Sequence, residues 1–509
     1  MNLASAQRTA IIDLGSNSAR LVVMSFVRGQ SYHLEDEIRE IVRLREGMTS
    51  AGLSEAAMTR GLLTLRLFKR FCESVQVTHI IATATSAVRE AANGPQFLQR
   101  VEQEIGLSLR LLSGEEEAFF GVLGALNATA MQEGVVIDIG GGSAQVSQVR
   151  GRRFVQGQAL TLGALALTER FVRSDPIKKS EIKAIEAEIA HQLDGVAWLG
   201  SERGPLVGLG GTIRNLAKIE AARLSYPLQS INGFLLSRAS LDETIRALSE
   251  APLAKRRRTP GLARDRADII LPGALVLRAL MQRLGVSGLT ISEFGLREGL
   301  FFDGFWSDLP SHVTPGLRAF AVLNVARFYG FQEAHARHVR HLTQRLFEQL
   351  RPLHGYGAWE GELLSAAALL HDIGMAIQYR DHHKYSQTLI ASSALPGYSP
   401  REVALIALLA RYHRKGTPVV AEYAAVLAEG DEARLLRLTA LLRLAEYLER
   451  GRAGLVQDVL VRWDAEHLYL TLVATEPPTV ELWEAGRNAV DLMKPAFGRM
   501  AVLESQTAG

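Results

Sequence analysis

The sequence predicts a multi-domain α/β protein in which one strand–turn–strand unit is duplicated, followed by a nearly all-helical segment and a small α/β tail. Three observations carry this. The segments AIIDLGSNSARLVVM, from Ala10, and VVIDIGGGSAQVSQV, from Val135, are two copies of one pattern. Asp13 matches Asp138, Gly15 matches Gly140, Ser18 matches Ser143 and Ala19 matches Ala144. Each copy is an apolar strand, an aspartate, a glycine-rich turn and a second strand, so two α/β units facing across a cleft are expected. A third glycine turn, Gly208-Leu209-Gly210-Gly211-Thr212, follows another apolar strand. From Leu317 the chain becomes rich in His, Leu, Ala and Arg at helical spacing.

Composition sets the class. At 509 residues the chain is long enough for about three or four domains. Hydrophobic residues make up 47% and charged residues 22%, which suits a large buried core and excludes a disordered chain. Lys+Arg number 57 against 54 Asp+Glu, a net +3. That excess is too slight to announce a nucleic-acid binder, yet it would not repel a polyanion. The single cysteine, Cys72, excludes a disulfide framework and a Cys-based zinc site, and points to a reducing compartment. Apolar runs such as Val403–Ala410 fall short of the ~18 residues of a membrane span. The opening MNLASAQRTAIIDLG carries no export signal, so a cytoplasmic location is expected.

In chain order, Thr9–Asp13 reads as a strand ending in Gly15-Ser16-Asn17-Ser18, and Arg20–Val27 resumes the strand pattern. Met58–Ser74 is helical, with Leu62, Leu65, Phe68 and Phe71 on one side. His79–Thr83 is strand-like and runs into a helix start at Ser86-Ala87-Val88-Arg89, and Leu107–Leu112 is a further strand. Ser113 opens a helix with Glu116 three residues on, the capping-box spacing. Val135–Asp138 is an apolar strand that leads into Gly140-Gly141-Gly142-Ser143. Lys255-Arg256-Arg257-Arg258-Thr259-Pro260-Gly261 forms a basic, turn-containing connector. After Arg452, strands return at Val459–Trp463 and Leu468–Val473, then a helix near Glu481–Met493. The expected domains are 1–127, 128–308, 309–452 and 453–509.

A glycine- and serine-rich turn between two strands exposes successive N–H groups that cradle phosphate oxygens. An aspartate at the strand end is placed to hold Mg²⁺ directly or through water. One such turn alone reads as an ordinary hairpin; two matched copies and Gly210-Gly211-Thr212 favour a phosphate site. In Ser113-Gly114-Glu115-Glu116-Glu117 the acidic residues complement a helix N-terminus, with Glu116 as the cap. Glu117 is not needed for the cap, and a carboxylate beside a metal-bound phosphate can deprotonate an attacking water. Arg89, early in its helix, is either a fork onto phosphate oxygens or a surface arginine.

Taken together, DLGSNS, TSAVREA, SGEEEA, DIGGGS and GLGGTI, in this order and spacing, resemble the exopolyphosphatase/guanosine pentaphosphate phosphatase (Ppx/GppA) family. RTPGLARDRADIILPGALVL and SEFGLREGL extend the likeness over nearly the whole chain. The resemblance implies duplicated actin-like (ribonuclease H-like) domains that hydrolyse a terminal phosphoanhydride. The substrate would be inorganic polyphosphate, or alternatively guanosine penta/tetraphosphate cut at its 5′ end. It implies Glu117 as general base and Asp13 and Asp138 at a metal, Mg²⁺ or Mn²⁺, with K⁺ as a further candidate ion. It also implies phosphate contacts from Ser16, Asn17, Arg89, Gly141, Gly142, Ser143, Gly211 and Thr212, and a homodimer. No nucleic-acid partner and no membrane span are expected.

The helical segment carries His335-Ala336-Arg337-His338, Leu370-His371-Asp372-Ile373-Gly374, His382-His383-Lys384-Tyr385-Ser386 and Tyr412-His413-Arg414-Lys415. Adjacent His-Asp after an apolar helix, with histidines on neighbouring helices, is one way a metal site forms in a bundle core. This all-α HD-like domain resembles the HD phosphohydrolase superfamily, which implies the ligands His335, His371 and Asp372. Glu446 stands where that superfamily has an aspartate, and Met375 where a lysine is frequent. Within the Ppx/GppA family such a domain shapes a polyphosphate channel and the dimer. The structural role is therefore preferred to an independent active site. Lys255–Arg258, Arg264, Arg266, Arg411, Arg414 and Lys415 are candidate contacts for a long anion, or a solvated charge run. Two other classes of reading are a nucleotide-driven clamp without a metabolic substrate and an HD-type hydrolase with an inert front half.

Overall fold

The computed structural model describes residues 6–202 and 204–507. The chain forms two compact units. One runs to Ser225 and includes Ile231–Leu317; the other takes Tyr226–Ser230 and the chain from Arg318 onward.

The first unit holds two sheets. Strands β1 (Gln7–Leu14), β2 (Ser18–Val27), β3 (Ser31–Ile41), β4 (Ile80–Ala84) and β5 (Arg110–Leu111) are ordered β3-β2-β1-β4-β5. The second sheet contains β6 (Gly134–Ile139), β7 (Ala144–Arg150), β8 (Arg153–Leu160), β9 (Leu206–Leu209), β10 (Leu235–Ser237) and β11 (Gly288–Ile291), ordered β10-β11-β9-β6-β7-β8. The two copies of the sequence repeat hold equivalent places. β1 pairs antiparallel with β2 and parallel with β4, and β6 does the same with β7 and β9. The registers agree: Asp13 lies opposite Arg20, and Asp138 opposite Gln145. Each turn closes with the same backbone bond, Gly15 N–H to Ser18 O at 3.2 Å and Gly140 N–H to Ser143 O at 2.9 Å. The central strands are buried on both faces (Ile11, Ile12, Val136 and Ile137 are at most 2% exposed), which explains their unbroken apolar runs.

Three elements differ from the sequence expectation. β3 has no apolar run to announce it, because Glu35, Asp36, Glu37, Arg39 and Glu40 interrupt the pattern; it is an edge strand, where charge discourages unwanted pairing. The strand expected over 107–112 is confined to Arg110–Leu111, because Leu107, Leu109 and Leu112 bury into the core as parts of loops. The helix Glu55–Ser74 starts a turn earlier than its apolar spacing suggests, since Ser54 Oγ accepts from the Ala57 N–H at 3.3 Å.

In the second unit, helices Glu333–Gln349, Ala358–Leu370, His382–Ser392, Pro400–Tyr412 and Asp431–Leu448 pack on a sheet of β12 (Val456–Trp463), β13 (His467–Ala474) and β14 (Met500–Thr507). One apolar core runs from Leu342, Leu363 and Leu441 in the helices to Val459, Leu470 and Phe497 beside the sheet. The helix expected over 481–493 is interrupted: it spans Thr479–Asn488, and a second short helix covers Met493–Phe497. Among the described residues no helix is long and apolar enough to cross a membrane.

The helix Gly114–Ala128, which carries Glu117, is fixed by contact with the helix Leu296–Phe305. That contact is made backbone to backbone: a Cβ at Gly299 would overlap the Phe120 carbonyl, and one at Gly124 would overlap the Gly295 carbonyl. Gly299→Ala is therefore expected to destabilise the fold by about 1–3 kcal/mol, the usual cost of overpacking, read from the denaturant midpoint. Gly304→Ala, on the same helix with open space beside it, serves as the control and should stay close to wild type.

Candidate active site

The two glycine turns meet. A Cβ at Gly142 would lie 2.5 Å from both Ser16 Oγ and Ser86 Oγ, and one at Gly141 would lie 3.0 Å from Asn17 Cβ. Ser16 and Ser86 are themselves bonded, Oγ to Oγ at 2.9 Å. A side chain at 142 would hold the turns apart, so glycine there is a requirement of packing. Between the turns lies a cavity of about 130 Å³ whose wall includes Asp13, Ser16, Asn17, Glu117, Asp138 and Gly141, together with Ser143 and Gly211.

Strand ends and a helix start deliver the carboxylates. Asp13 and Asp138 occupy equivalent positions near the ends of β1 and β6. Glu117 stands in the first turn of its helix, which Ser113 and Glu116 cap reciprocally: Ser113 Oγ accepts from the Glu116 N–H at 3.1 Å, and Glu116 Oε2 accepts from the Ser113 N–H at 2.8 Å. Glu116 is thereby engaged in the cap and Glu117 is directed into the cavity. Glu117 Oε2 accepts from Arg89 Nη1 at 2.7 Å and from Gln145 Nε2 at 3.5 Å.

Arg89, Gly142 and Thr212 are not on the cavity wall. Arg89 divides its Nη1 between Glu117 and the Leu112 carbonyl, both at 2.7 Å. Gly142 lies beneath Ser16, and Thr212 is buried with its methyl group against Gly273.

Burial dominates the electrostatics. Withdrawal from water pushes Glu117 up to about 7, against the pull of Arg89, and Asp138 up to about 6, against that of Arg214. Asp13 is raised for the same reason, with Arg297 and Arg20 opposing. Arginines Arg20, Arg214, Arg266 and Arg297 share the wall. Burial, aided by the other arginines nearby, lowers Arg20 to about 9 and Arg266 to about 10. Sequence reasoning missed Arg20, Arg214 and Arg297 and placed Arg266 in a surface track. A signal was present for two of them: Arg20 follows the first turn at the position of Gln145 in the second copy, and Arg297 lies in SEFGLREGL. Arg256, in the same expected track, is buried and paired with Asp175 at 3.1 Å.

Crowded buried carboxylates fit a cation. Asp13 Oδ1 is buried without a hydrogen-bond partner, the charge of Asp13 raises the proton affinity of Asp138, and both aspartates raise that of Glu117. A divalent ion on Asp13 and Asp138 would answer both conditions.

The chain matches two family models, the Ppx/GppA phosphatase family over residues 22–307 and domain III of the Ppx/GppA phosphatases over residues 317–477. Among solved structures, a Ppx/GppA family member of Aquifex aeolicus is 27% identical with a TM-score of 0.52, over 60% of this chain and 99% of that one. A second structure of an Aquifex aeolicus Ppx/GppA enzyme gives 29% and 0.50, over 58% and 99%. An exopolyphosphatase from Cytophaga hutchinsonii gives 24% and 0.56, over 59% and 98%, a likeness of fold. The duplicated α/β region has the actin-like fold that the internal repeat suggested. With one family model spanning more than half of the sequence and the paired turns facing across the cavity, the chain belongs to the Ppx/GppA phosphatase family.

Proposed function

We propose that the protein is a metal-dependent exopolyphosphatase, cutting the terminal phosphoanhydride of inorganic polyphosphate and releasing orthophosphate, with Mg²⁺ or Mn²⁺ on Asp13 and Asp138. One observation supports polyphosphate in particular. The cavity wall carries four arginines and turn N–H groups but, among the described residues, no aromatic ring, and its large apolar side chains are only Ile139 and Leu296. A chain of phosphates asks for cations and N–H donors, whereas a purine asks for stacking and apolar surface.

The terminal phosphate is held by Ser16, Asn17 and the N–H groups of the second turn at Gly141 and Ser143, and its charge is met by Arg20, Arg214 and Arg297. A divalent ion, when bound, neutralises phosphate oxygens and polarises the anhydride. Arg89 and Gln145 occupy Glu117 Oε2, which leaves Oε1 for a water. Glu117 accepts the proton of that water as its oxygen bonds to the terminal phosphorus. The anhydride P–O bond breaks, and the shortened chain keeps the electron pair on its terminal oxygen.

The decisive assay compares phosphate release from long-chain polyphosphate, short polyphosphate and guanosine pentaphosphate, with Mg²⁺ and with EDTA. The expected result is the highest kcat/KM on polyphosphate, abolished by EDTA. A higher kcat/KM on guanosine pentaphosphate would transfer the assignment to that substrate, which offers the same terminal phosphate.

Glu117→Gln keeps size and removes the proton acceptor, so kcat should fall about 10²–10⁴-fold with KM little changed. Near wild-type turnover would remove Glu117 from the chemistry. Glu116→Gln should keep kcat and lose only part of the cap.

Glu117 accepts a proton only when ionised, and its pKa is pushed up to about 7, so activity should rise with pH through that region and move lower when a cation is bound. The Arg89 charge favours the ionised form, so Arg89→Met should move the rising limb to higher pH. A merely structural Arg89 would leave the limb in place while changing stability.

A further inference from the structure

We infer that the first unit carries an accessory binding site for an amphiphilic acid, an aliphatic carboxylate, in a cavity that shares no lining residue with the one between the glycine turns. This cavity has a volume of about 260 Å³. It lies between the helix Gly114–Ala128, the β7–β8 hairpin and the segment Pro310–His312.

Its floor suits an apolar body. Phe119, Val122, Leu123 and Leu126 share one side of the helix, at spacings of three and four residues. Phe154 of β8 joins them, edge-on to Phe119 with ring centroids 5.7 Å apart. A void of ~150 Å³ lined by such side chains takes a benzene ring, so the larger cavity has room for a longer aliphatic body.

Its rim suits a negative charge. Arg153 is exposed, and among the described residues its side chain has no hydrogen bond and no ion pair. Arg152 directs its donors to carbonyls, Nη1 to Thr129 and Met131 at 3.1 Å each and Nη2 to Leu126 at 2.6 Å. Withdrawal from water holds Arg152 below the usual arginine range, and no nearby carboxylate opposes this. His312 adds an imidazole whose Nδ1 lies 2.6 Å from Asp303 Oδ1. No carboxylate lines the cavity among the described residues, so two guanidinium charges border apolar surface without a counter-charge.

The backbone is bent to this arrangement. Arg150 pairs with Arg153, so Gly151 and Arg152 make a two-residue hairpin turn, with φ of 55° and 56°. Such a turn favours Asn or Gly. What arginine adds is a guanidinium laid over the carbonyls at the end of the helix that carries Glu117. His312 is also left-handed, at φ 53°, and its carbonyl accepts from Asn127 Nδ2 at 3.2 Å. Two left-handed residues other than glycine on one wall fit a ligand clamp, where such conformations concentrate.

The two halves of the cavity select the ligand. A chain of phosphates gains nothing from the apolar floor, and a neutral hydrocarbon gains nothing from the arginines. An aliphatic carboxylate uses both, with its chain on Phe119, Leu123 and Phe154 and its head on Arg153 in a charge-assisted hydrogen bond. Phe119 follows Glu117 by two residues, and the helix presents one to each cavity. A bound chain therefore restrains the helix that carries Glu117.

The test titrates octanoate, below the concentration at which it forms micelles, into the full chain by calorimetry. Saturable binding at one site per chain is expected. Octanol keeps the chain without the charge, and acetate keeps the charge without the chain. Each should bind at least about tenfold more weakly, the factor that one hydrogen bond to a charged group supplies. Arg153→Glu alters an exposed side chain without a partner, so it should keep its thermal stability and weaken octanoate by at least that factor. Hydrogen exchange in octanoate should slow for the amides of Phe119–Ala128 and of Phe154. Equal binding of octanol and octanoate, or full affinity in Arg153→Glu, would overturn the acid site. Displacement by inorganic phosphate, or protection confined to other segments, would overturn its place. Absence of saturable binding would make the cavity empty packing space.

Discussion

The close approach of the two glycine-rich turns is the constraint on which the cavity of the first unit depends. The turns touch because position 142 has no side chain, and the Ser16–Ser86 hydroxyl pair occupies the space a Cβ would need. That contact brings two strand ends, and therefore Asp13 and Asp138, to the wall of one cavity. The raised proton affinities of Asp13, Asp138 and Glu117 follow from burial there.

The duplication is symmetric in backbone and asymmetric in side chains. Both copies give a hairpin with the same register and the same closing hydrogen bond, yet Asn17 and Arg20 stand in one where Gly142 and Gln145 stand in the other. One copy contributes a cation and an amide, the other a backbone that can be approached closely. The helix bearing Glu117 is seated by a similar device, the glycine contacts with Leu296–Phe305. The same region supplies Arg297, which is paired with Glu37 at 2.9 Å. The places of Glu117 and Arg297 on the cavity wall thus depend on one packed element.

The helical unit concentrates its polar residues where helices end. Carbonyls left free in a last turn orient His371 and His413, so helix termination sets which ring nitrogen faces the cluster. Glu446 falls on the buried stripe of its helix with Leu435, Leu438 and Leu442, and the extra methylene that distinguishes it from aspartate does not keep it from the two histidines. Arg452, from beyond that helix, lies beside Met375, the position where the HD superfamily resemblance leads one to expect a lysine.

The sequence alone determined the duplicated α/β architecture, the helical character after Leu317, the glycine turns and the reciprocal cap of Ser113 and Glu116. All of these are local: a repeat, a 3.6-residue spacing or a capping box is written in adjacent residues. Tertiary structure decided that Arg89 pairs with Glu117, that Thr212 is packed away, that Arg20, Arg214, Arg266 and Arg297 face the cavity between the turns, and that His382 and His413 join Asp372. These pairings span tens to hundreds of residues. An arginine or histidine reads the same in a sequence whether it is solvated or buried, because the difference lies in which distant charge the fold brings within a few ångströms of it.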